Sequence, residues 1–306
     1  MSIRFDDQVA IVTGAGNGLG RSYALGLAAR GAKVVVNDLG GASVGGGHDP
    51  HVAQAVAEEI RQRGGTAIAN DSSVTDDASV ARLVEDSLGA FGRIDILITN
   101  AGIHRAAPFA DMTVAEFQDV MAMHLMGTVR CIKAVWGPMC GRGYGRVVVA
   151  TSTVGLFGFP NDAHYGAGKM GVIGLMNTLQ MEGAAHGIHV NAIAPIAATR
   201  MGRDAVAAEV WEPFARAYSP DFVTPGVLYL ASRDAPTGVI LTAGGGVYAC
   251  ARMLGARGAN LGTAATPEAV AAHWPMISDF TQPVAFAKAI DHGAYCDALI
   301  ARGIDA

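Results

Sequence analysis

Between Gln8 and Arg30 a short apolar run, Gln8–Thr13, passes into the glycine-rich turn GAGNGLG, Gly14 to Gly20, and then into a helix-forming segment. No other feature restricts the fold as much. Glycines at such a junction let the backbone turn tightly and approach a pyrophosphate, which then sits on the N-terminal N–H groups of the helix. The spacing Gly14-x-x-x-Gly18-x-Gly20 differs from the general G-x-G-x-x-G fingerprint. In a chain with forty glycines such a turn would often be only a loop. Its position between strand and helix favours nucleotide binding, with Gly14, Asn17, Gly18, Leu19 and Gly20 as candidate contacts. The rest of the chain repeats the alternation. Strands are predicted at Val9–Thr13, Lys33–Asn37, Thr66–Ala69, Ile94–Thr99, Arg146–Ala150, His189–Ile193 and Gly238–Leu241. Helices are predicted near Leu19–Arg30, Val52–Gln62, Ser79–Phe91, Thr113–Cys140, Tyr165–His186 and Thr224–Ala231. Strands alternating with helical crossovers define an α/β, doubly wound Rossmann fold, here with a seven-stranded parallel sheet and a C-terminal helical extension.

Composition removes several alternatives. Of 306 residues, 51% are hydrophobic and 16% charged, so the chain buries a full core and is not a solvated, disordered one. A net charge of −5 gives no basic footprint for nucleic acid. No apolar run reaches the ~18 residues of a membrane span. The N-terminus lacks an apolar signal core, so a cytoplasmic protein is expected. Cys131, Cys140, Cys250 and Cys296 are widely spaced and read as reduced packing residues, with no metal site expected. Gly40–Asp49, GGASVGGGHD, reads as a flexible surface loop, with His48 and His51 as solvated residues.

The chemistry is carried by Ser152, Tyr165 and Lys169, at thirteen- and four-residue separations. Oxidising a carbinol by hydride transfer also requires a base beside the hydroxyl. Tyr165 meets that need if its pKa, about 10 when free, is lowered. Lys169, one helical turn on, presents a positive charge that favours the phenolate. Ser152 would donate to the substrate oxygen where charge develops. On its own the Tyr-x-x-x-Lys spacing is common on helix faces, where a buried Tyr with a snorkelling Lys is the blander reading. Asp38 follows the second predicted strand, eighteen residues after Gly20. A carboxylate there accepts from adenosine ribose hydroxyls and repels a 2′-phosphate. With no Arg or Lys near Asp38 in sequence, the cofactor is expected to be NAD rather than NADP.

TGAGNGLG, then Asn100-Ala101-Gly102 after a strand, then Ser152, Tyr165 and Lys169 together resemble the short-chain dehydrogenase/reductase family, in order and spacing, from about Gln8 to Val247. The resemblance implies that Asn100, Ala101 and Gly102 line the nicotinamide side. It also implies that Asp71, with Ser72 beside it, meets the adenine, and that Pro195 and Thr199 touch the carboxamide. Lys169 would hydrogen-bond the nicotinamide ribose. Members usually carry an Asn where this chain has His124, feeding a proton relay to the lysine, so His124 is a candidate relay group, with a satisfied core histidine as the blander alternative. A homodimer or homotetramer is implied as well.

Several further segments resemble one branch, the (3R)-hydroxyacyl-CoA dehydrogenase domains of peroxisomal multifunctional enzymes of type 2, also described as 17β-hydroxysteroid dehydrogenases. They are VVVNDLGG (Val34–Gly41), EEIRQRGGTAIAN, NTLQMEGAAHGIHVNAIAP, Thr199–Met201 and TPEAVAAHWPMISDF (Thr266–Phe280). The chain departs from the branch's FGQANYSAAK-like wording with FGFPNDAHYGAGK, which places Phe159, Pro160 and Asp162 at the expected substrate wall. It lacks the branch's downstream hydratase domain and C-terminal peroxisomal signal, so a stand-alone enzyme is expected. Met201, Val206, Val210, Trp211, Phe214 and Tyr218 form an apolar series at near-helical spacing. It reads as a core-packed helix or as a substrate lid near 196–222 on a catalytic domain spanning 1–250. Residues 251–306, with a capped helix start at Thr266, read as an extension packing on the core or on a subunit neighbour. Two function classes result. The first is an NAD-dependent dehydrogenase of a bulky lipophilic secondary alcohol, (3R)-hydroxyacyl-CoA ahead of hydroxysteroid. The second is a dinucleotide-binding regulator without turnover.

Overall fold

A computed structural model describes residues 2–203 and 208–304. The chain divides into two compact units, Met1–Cys250 and Ala251–Ala306.

In the first unit an eight-stranded sheet has the order β3-β2-β1-β4-β5-β6-β7-β8. Its strands are β1 (Val9–Thr13), β2 (Lys33–Asn37), β3 (Thr66–Asn70), β4 (Ile96–Thr99), β5 (Gly145–Ala150), β6 (Ile188–Pro195), β7 (Ile240–Gly244) and β8 (Val247–Ala251). The pairs from β3 through β7 are parallel. Every residue of β1, β4 and β5 is buried, the pattern of strands covered by helices on both faces. Chain order reverses between β1 and β4, and the crevice beyond their C-terminal ends is where such sheets bind ligands.

The eighth strand corrects the predicted seven. Gly245 and Gly246 both take positive φ, 58° and 80°, the signature of a two-residue I′ turn, which returns β8 antiparallel to β7. Residues Val247 to Cys250 are exposed, so no buried run marked this strand in the sequence.

Helices α1 (Gly18–Ala28), α2 (His51–Gln62), α3 (Asp77–Phe91), α4 (Val114–Met121), α5 (Gly127–Arg142), α6 (Thr153–Phe157), α7 (Ala163–Ala184), α8 (Arg200–Arg203), α9 (Ala208–Ala217) and α10 (Thr224–Leu230) complete this unit. The single helix predicted over Thr113–Cys140 is interrupted. A capping box joins Thr113 and Glu116 at the start of α4, and a π-helical turn, Ala122–Met126, then separates α4 from α5. The turn carries His124, whose imidazole Nε2 lies 2.7 Å from the Ile103 carbonyl in the segment following β4. Such π turns often sit at functional sites. At the base of the sheet, Asp95 is fully buried, accepts from the Val9 N–H at 2.9 Å and pairs with Arg93 at 2.6 Å.

Of the predicted lid series, Val206 lies outside the described residues. Along α9, Trp211, Phe214 and Tyr218 stack in sequence, with ring centroids 6.0 and 4.9 Å apart, and Arg203 stands over the Trp211 ring. The Tyr218 carbonyl accepts from the Ala198 N–H at 2.7 Å, closing the base of this excursion.

The second unit contains α11 (Pro267–Ala272), α12 (Trp274–Ile277) and α13 (Ala289–Arg302). Thr266 caps α11 by accepting from the Ala269 N–H, as its sequence signal predicted. Phe286 stacks on His292 and Tyr295, and Gly255 bridges Val284. Among the described residues, no helix is long and apolar enough to cross a membrane.

Candidate active site

The C-terminal ends of β1 and β4 are cross-linked by their own polar groups. The Thr13 hydroxyl accepts from the Asn100 and Ala101 N–H groups at 3.0 and 3.1 Å, and the Asn100 amide donates to the Gly14 carbonyl at 3.1 Å. Gly20 packs so closely on this knot that a Cβ there would strike the Gly14 carbonyl. Gly14, at φ +63°, is as tightly placed: its Cβ would lie 2.7 Å from the Ala101 Cα. At the start of α1, Asn17 makes no side-chain cap and the first turn has no acidic residue. The helix therefore keeps free N–H groups and an uncompensated positive end.

Asp38, just after β2, accepts from the Gly16 N–H and from the Gly40 N–H, both at 2.8 Å. Asp38 is thus held by the glycine turn while lining a cavity of about 220 Å³. The lining includes Gly14, Asn17, Gly18 and Leu19, then Asn100, Ala101, Gly102, Tyr165 and Lys169, and also Ser72, Pro195 and Thr199. Three candidates stand off it: Gly20, whose added Cβ would strike the Gly14 carbonyl, Ser152, and Asp71, whose carboxylate lies 2.8 Å from the His48 Nε2. His48 is therefore exposed, as expected, with Asp71 within hydrogen-bond distance.

The glycine-rich loop is at the surface as expected, but residues distant in sequence close onto it. Gly41–Ser43, Gly45 and Gly46 line the cavity. The loop is tied down by the Arg105 guanidinium on the Val44 carbonyl (2.6 Å) and the His104 N–H on the Ser43 carbonyl (2.9 Å). Positive φ at Gly45, Gly46 and Gly47 makes this path available only to glycine. The presumed absence of a cation near Asp38 fails, because Arg200 of α8 lines the same cavity and donates to the Gly41 carbonyl at 3.1 Å.

Ser152 ends β5 and caps α6, accepting from the Val154 N–H at 3.1 Å. Tyr165 and Lys169 lie one turn apart on α7. The buried Lys169 Nζ donates to the Ala150 carbonyl at 2.7 Å and stands 5.6 Å from the centre of the Tyr165 ring. Burial pushes the Tyr165 phenol up to about 12, with the Ser152 hydroxyl pulling the other way and the Asp162 charge adding to the rise. Burial also pushes the Lys169 ammonium down to about 7. Desolvation is the largest influence on both groups.

His124 is buried, its Nδ1 has no hydrogen-bond partner, and burial together with the Lys169 charge holds it well below the usual imidazole range. A Cβ on Gly102 would lie 2.5 Å from its Cε1, so Gly102 is required for the imidazole to fit. The Tyr165 ring is gripped edge-to-face by His124 (centroids 4.9 Å) and by His104 (5.4 Å). His104 was missed in the sequence. Asp162, expected at the substrate wall, is buried with its carboxylate 2.8 Å from the His104 Nε2. Phe157 and Phe159, beside this point, are exposed. The cysteines are free: Cys131 is buried, but Cys250 is exposed and packs nothing.

Residues 8–209 match the short chain dehydrogenase family, and the chain belongs to it. It is 44% identical over 276 residues to a short-chain type dehydrogenase/reductase of Mycobacterium tuberculosis, covering 90% of this chain and 95% of that one. Identity to peroxisomal multifunctional enzyme A of Dictyostelium discoideum is 41%, over 92% of this chain and 63% of the other's length. The full-length peroxisomal multifunctional enzyme type 2 of Drosophila melanogaster superposes with a TM-score of 0.81 at 30% identity, over 99% of this chain and 51% of that one. The chain therefore spans about half to two thirds of these multifunctional relatives. A 7α-hydroxysteroid dehydrogenase solved with NADH and 7-oxo glycochenodeoxycholic acid gives a TM-score of 0.71 at 28% identity, over 79% and 95% of the two chains. The family binds a nicotinamide dinucleotide. The uncapped α1 N-terminus, the glycine turn and the Asp38 carboxylate fit the pyrophosphate and ribose of such a group.

Proposed function

We propose that this protein is an NAD-dependent dehydrogenase of a bulky lipophilic secondary alcohol, with (3R)-hydroxyacyl-CoA as the leading substrate class and a hydroxysteroid second. The observation that carries the reading is the convergence of Tyr165, Lys169 and Asn100–Gly102 on the same cavity as the glycine turn and Asp38. The similarity to multifunctional enzymes supports the acyl-CoA class, and that to the bile-acid dehydrogenase keeps the steroid class in view. Exposed Phe157 and Phe159 offer apolar surface to either.

When bound, the dinucleotide supplies the hydride acceptor. Tyr165, once ionised to the phenolate, takes the hydroxyl proton of the alcohol and becomes the phenol. Ser152 donates to the same substrate oxygen and orients it. Lys169, anchored on the Ala150 carbonyl, fixes the floor beneath the ring. His124 buttresses Tyr165 and Ile103 through its ring and Nε2, and its unpartnered Nδ1 is the nitrogen left for a proton relay. Asp38 repels a 2′-phosphate and so favours NAD, while the Arg200 guanidinium is occupied by a backbone carbonyl.

Purified protein with NAD is offered a (3R)-hydroxyacyl-CoA and a 17β-hydroxysteroid in parallel, and NADH formation is followed. Turnover of the CoA ester in preference to the steroid is expected. Tyr165→Phe should lower turnover by about 10³-fold or more with dinucleotide affinity kept. Wild-type rates in that variant would refute the base.

A further inference from the structure

We propose that His104, fixed by Asp162, is a positioning residue for Tyr165: it grips the phenol ring edge-on and cancels the buried Asp162 charge beside the base. The inference rests on the reading of Tyr165 as the base.

Asp162 stands at the start of α7, three residues before Tyr165, where an aspartate ordinarily caps the helix. It makes no such cap. Its carboxylate instead meets the His104 Nε2 at 2.8 Å, with side-chain exposures of 6% for Asp162 and 21% for His104. A carboxylate so buried is costly without a cation, and among the described residues no other cation pairs with it. His104 is itself held from the far side, through its N–H on the Ser43 carbonyl. Its ring stands at 86° to that of Tyr165.

The other ionisable groups around the pair are already committed. From α7, the His164 Nδ1 accepts from the Tyr165 N–H at 2.7 Å, and Lys169 donates to Ala150. From the π turn, His124 is bound to Ile103. On the loop carrying His104, Arg105 is spent on Val44 and on Asp119 of α4. Glu116 of α4 is spent on Thr113. From the glycine-rich loop, His104 meets the Ser43 carbonyl. Asp162 therefore has His104 as its counter-charge, and the pairing raises the His104 pKa. Stripped of that partner, the Asp162 charge opposes formation of the phenolate, in line with its upward effect on Tyr165.

The test is a suppressor series read as kcat/KM against pH for alcohol oxidation, with imidazole NMR titrations alongside. His104→Gln keeps a donor for Asp162 but removes the charge. It should lower kcat/KM about tenfold at a fixed pH and move the rising limb about one unit alkaline, with KM little changed. Asp162→Asn alone should lose less than His104→Gln, because the opposing charge goes with the partner, and the double variant should recover most of the His104→Gln loss. In wild type the His104 imidazole should titrate above the ordinary range of His, about 6.5, and return toward it in Asp162→Asn. Unchanged activity in His104→Gln, a loss that Asp162→Asn fails to relieve, or an ordinary His104 titration in wild type would each overturn the proposal. Retained turnover in Tyr165→Phe would instead overturn the base itself, a separate result.

Discussion

Lys169 is placed where its charge is expensive, and the cost is measurable without any substrate. Its ammonium is buried, its one hydrogen bond goes to the Ala150 carbonyl, and its pKa falls from 10.5 to about 7. At about 1.4 kcal/mol per unit this is about 5 kcal/mol between protonation states, an upper figure because buried sites relax. Below about pH 7 both folded and unfolded chains carry the proton, and the folded state bears the whole cost. Above the unfolded pKa neither carries it, and the cost is gone. Between these limits the unfolded chain binds more protons, so this group makes stability rise with pH. Lys169→Met removes the titration and leaves the Ala150 carbonyl unpaired, a pH-independent loss of about 1–3 kcal/mol. Urea unfolding of both proteins at about pH 7 and about pH 9 separates the two effects. Wild type should gain about 2–3 kcal/mol relative to the variant over that interval. A constant difference between them would refute the assignment of Lys169 as a desolvated cation.

Three further outcomes follow from the site. Asp38→Ala should raise kcat/KM for NADP relative to NAD about tenfold or more, and Arg200→Ala in that background should reverse the gain; an unchanged ratio in Asp38→Ala would remove the ribose argument. Gly20→Ala should abolish detectable dinucleotide binding by calorimetry, because its Cβ meets a backbone carbonyl that cannot yield, and near-normal affinity would contradict that packing. Alcohol oxidation should rise about tenfold per pH unit on the approach to the Tyr165 pKa. That pKa is about 12 in the protein alone, and a pH-independent rate would mean that another group takes the proton.

What the sequence made legible was set by burial and by local spacing. Val9–Thr13 and Lys33–Asn37 were read to the residue because each is a β-branched run, and fully covered strands leave that mark. Ser152, Tyr165 and Lys169 were legible because a strand end and one helix supply them within eighteen residues. The π turn was not, since one extra residue barely disturbs an apolar periodicity. Nor was the His104–Asp162 pair, joined across 58 residues, or the Arg200–Gly41 contact, across 159. In both cases the partners sit on loops at the same end of the sheet, and only the strand order brings those loops together. The surface position of the glycine-rich loop was legible in its composition, whereas its contacts with Arg105 and His104 were not.

The burial of the Tyr165 phenol bears on direction. A phenol held protonated by burial is already the acid that a ketone needs, whereas alcohol oxidation must first form the phenolate. The site shows two groups aimed at that cost: the Ser152 hydroxyl, which lowers the phenol, and the imidazole that neutralises Asp162. Both lie on elements specified by the chain on either side of Tyr165, Ser152 at the end of β5 and His104 beyond β4. Lys169 ties α7 to β5, through Ala150 on one side and through its own carbonyl, which accepts from the Thr151 hydroxyl at 2.6 Å, on the other. Groups that stabilise the phenolate directly thus favour oxidation at neutral pH.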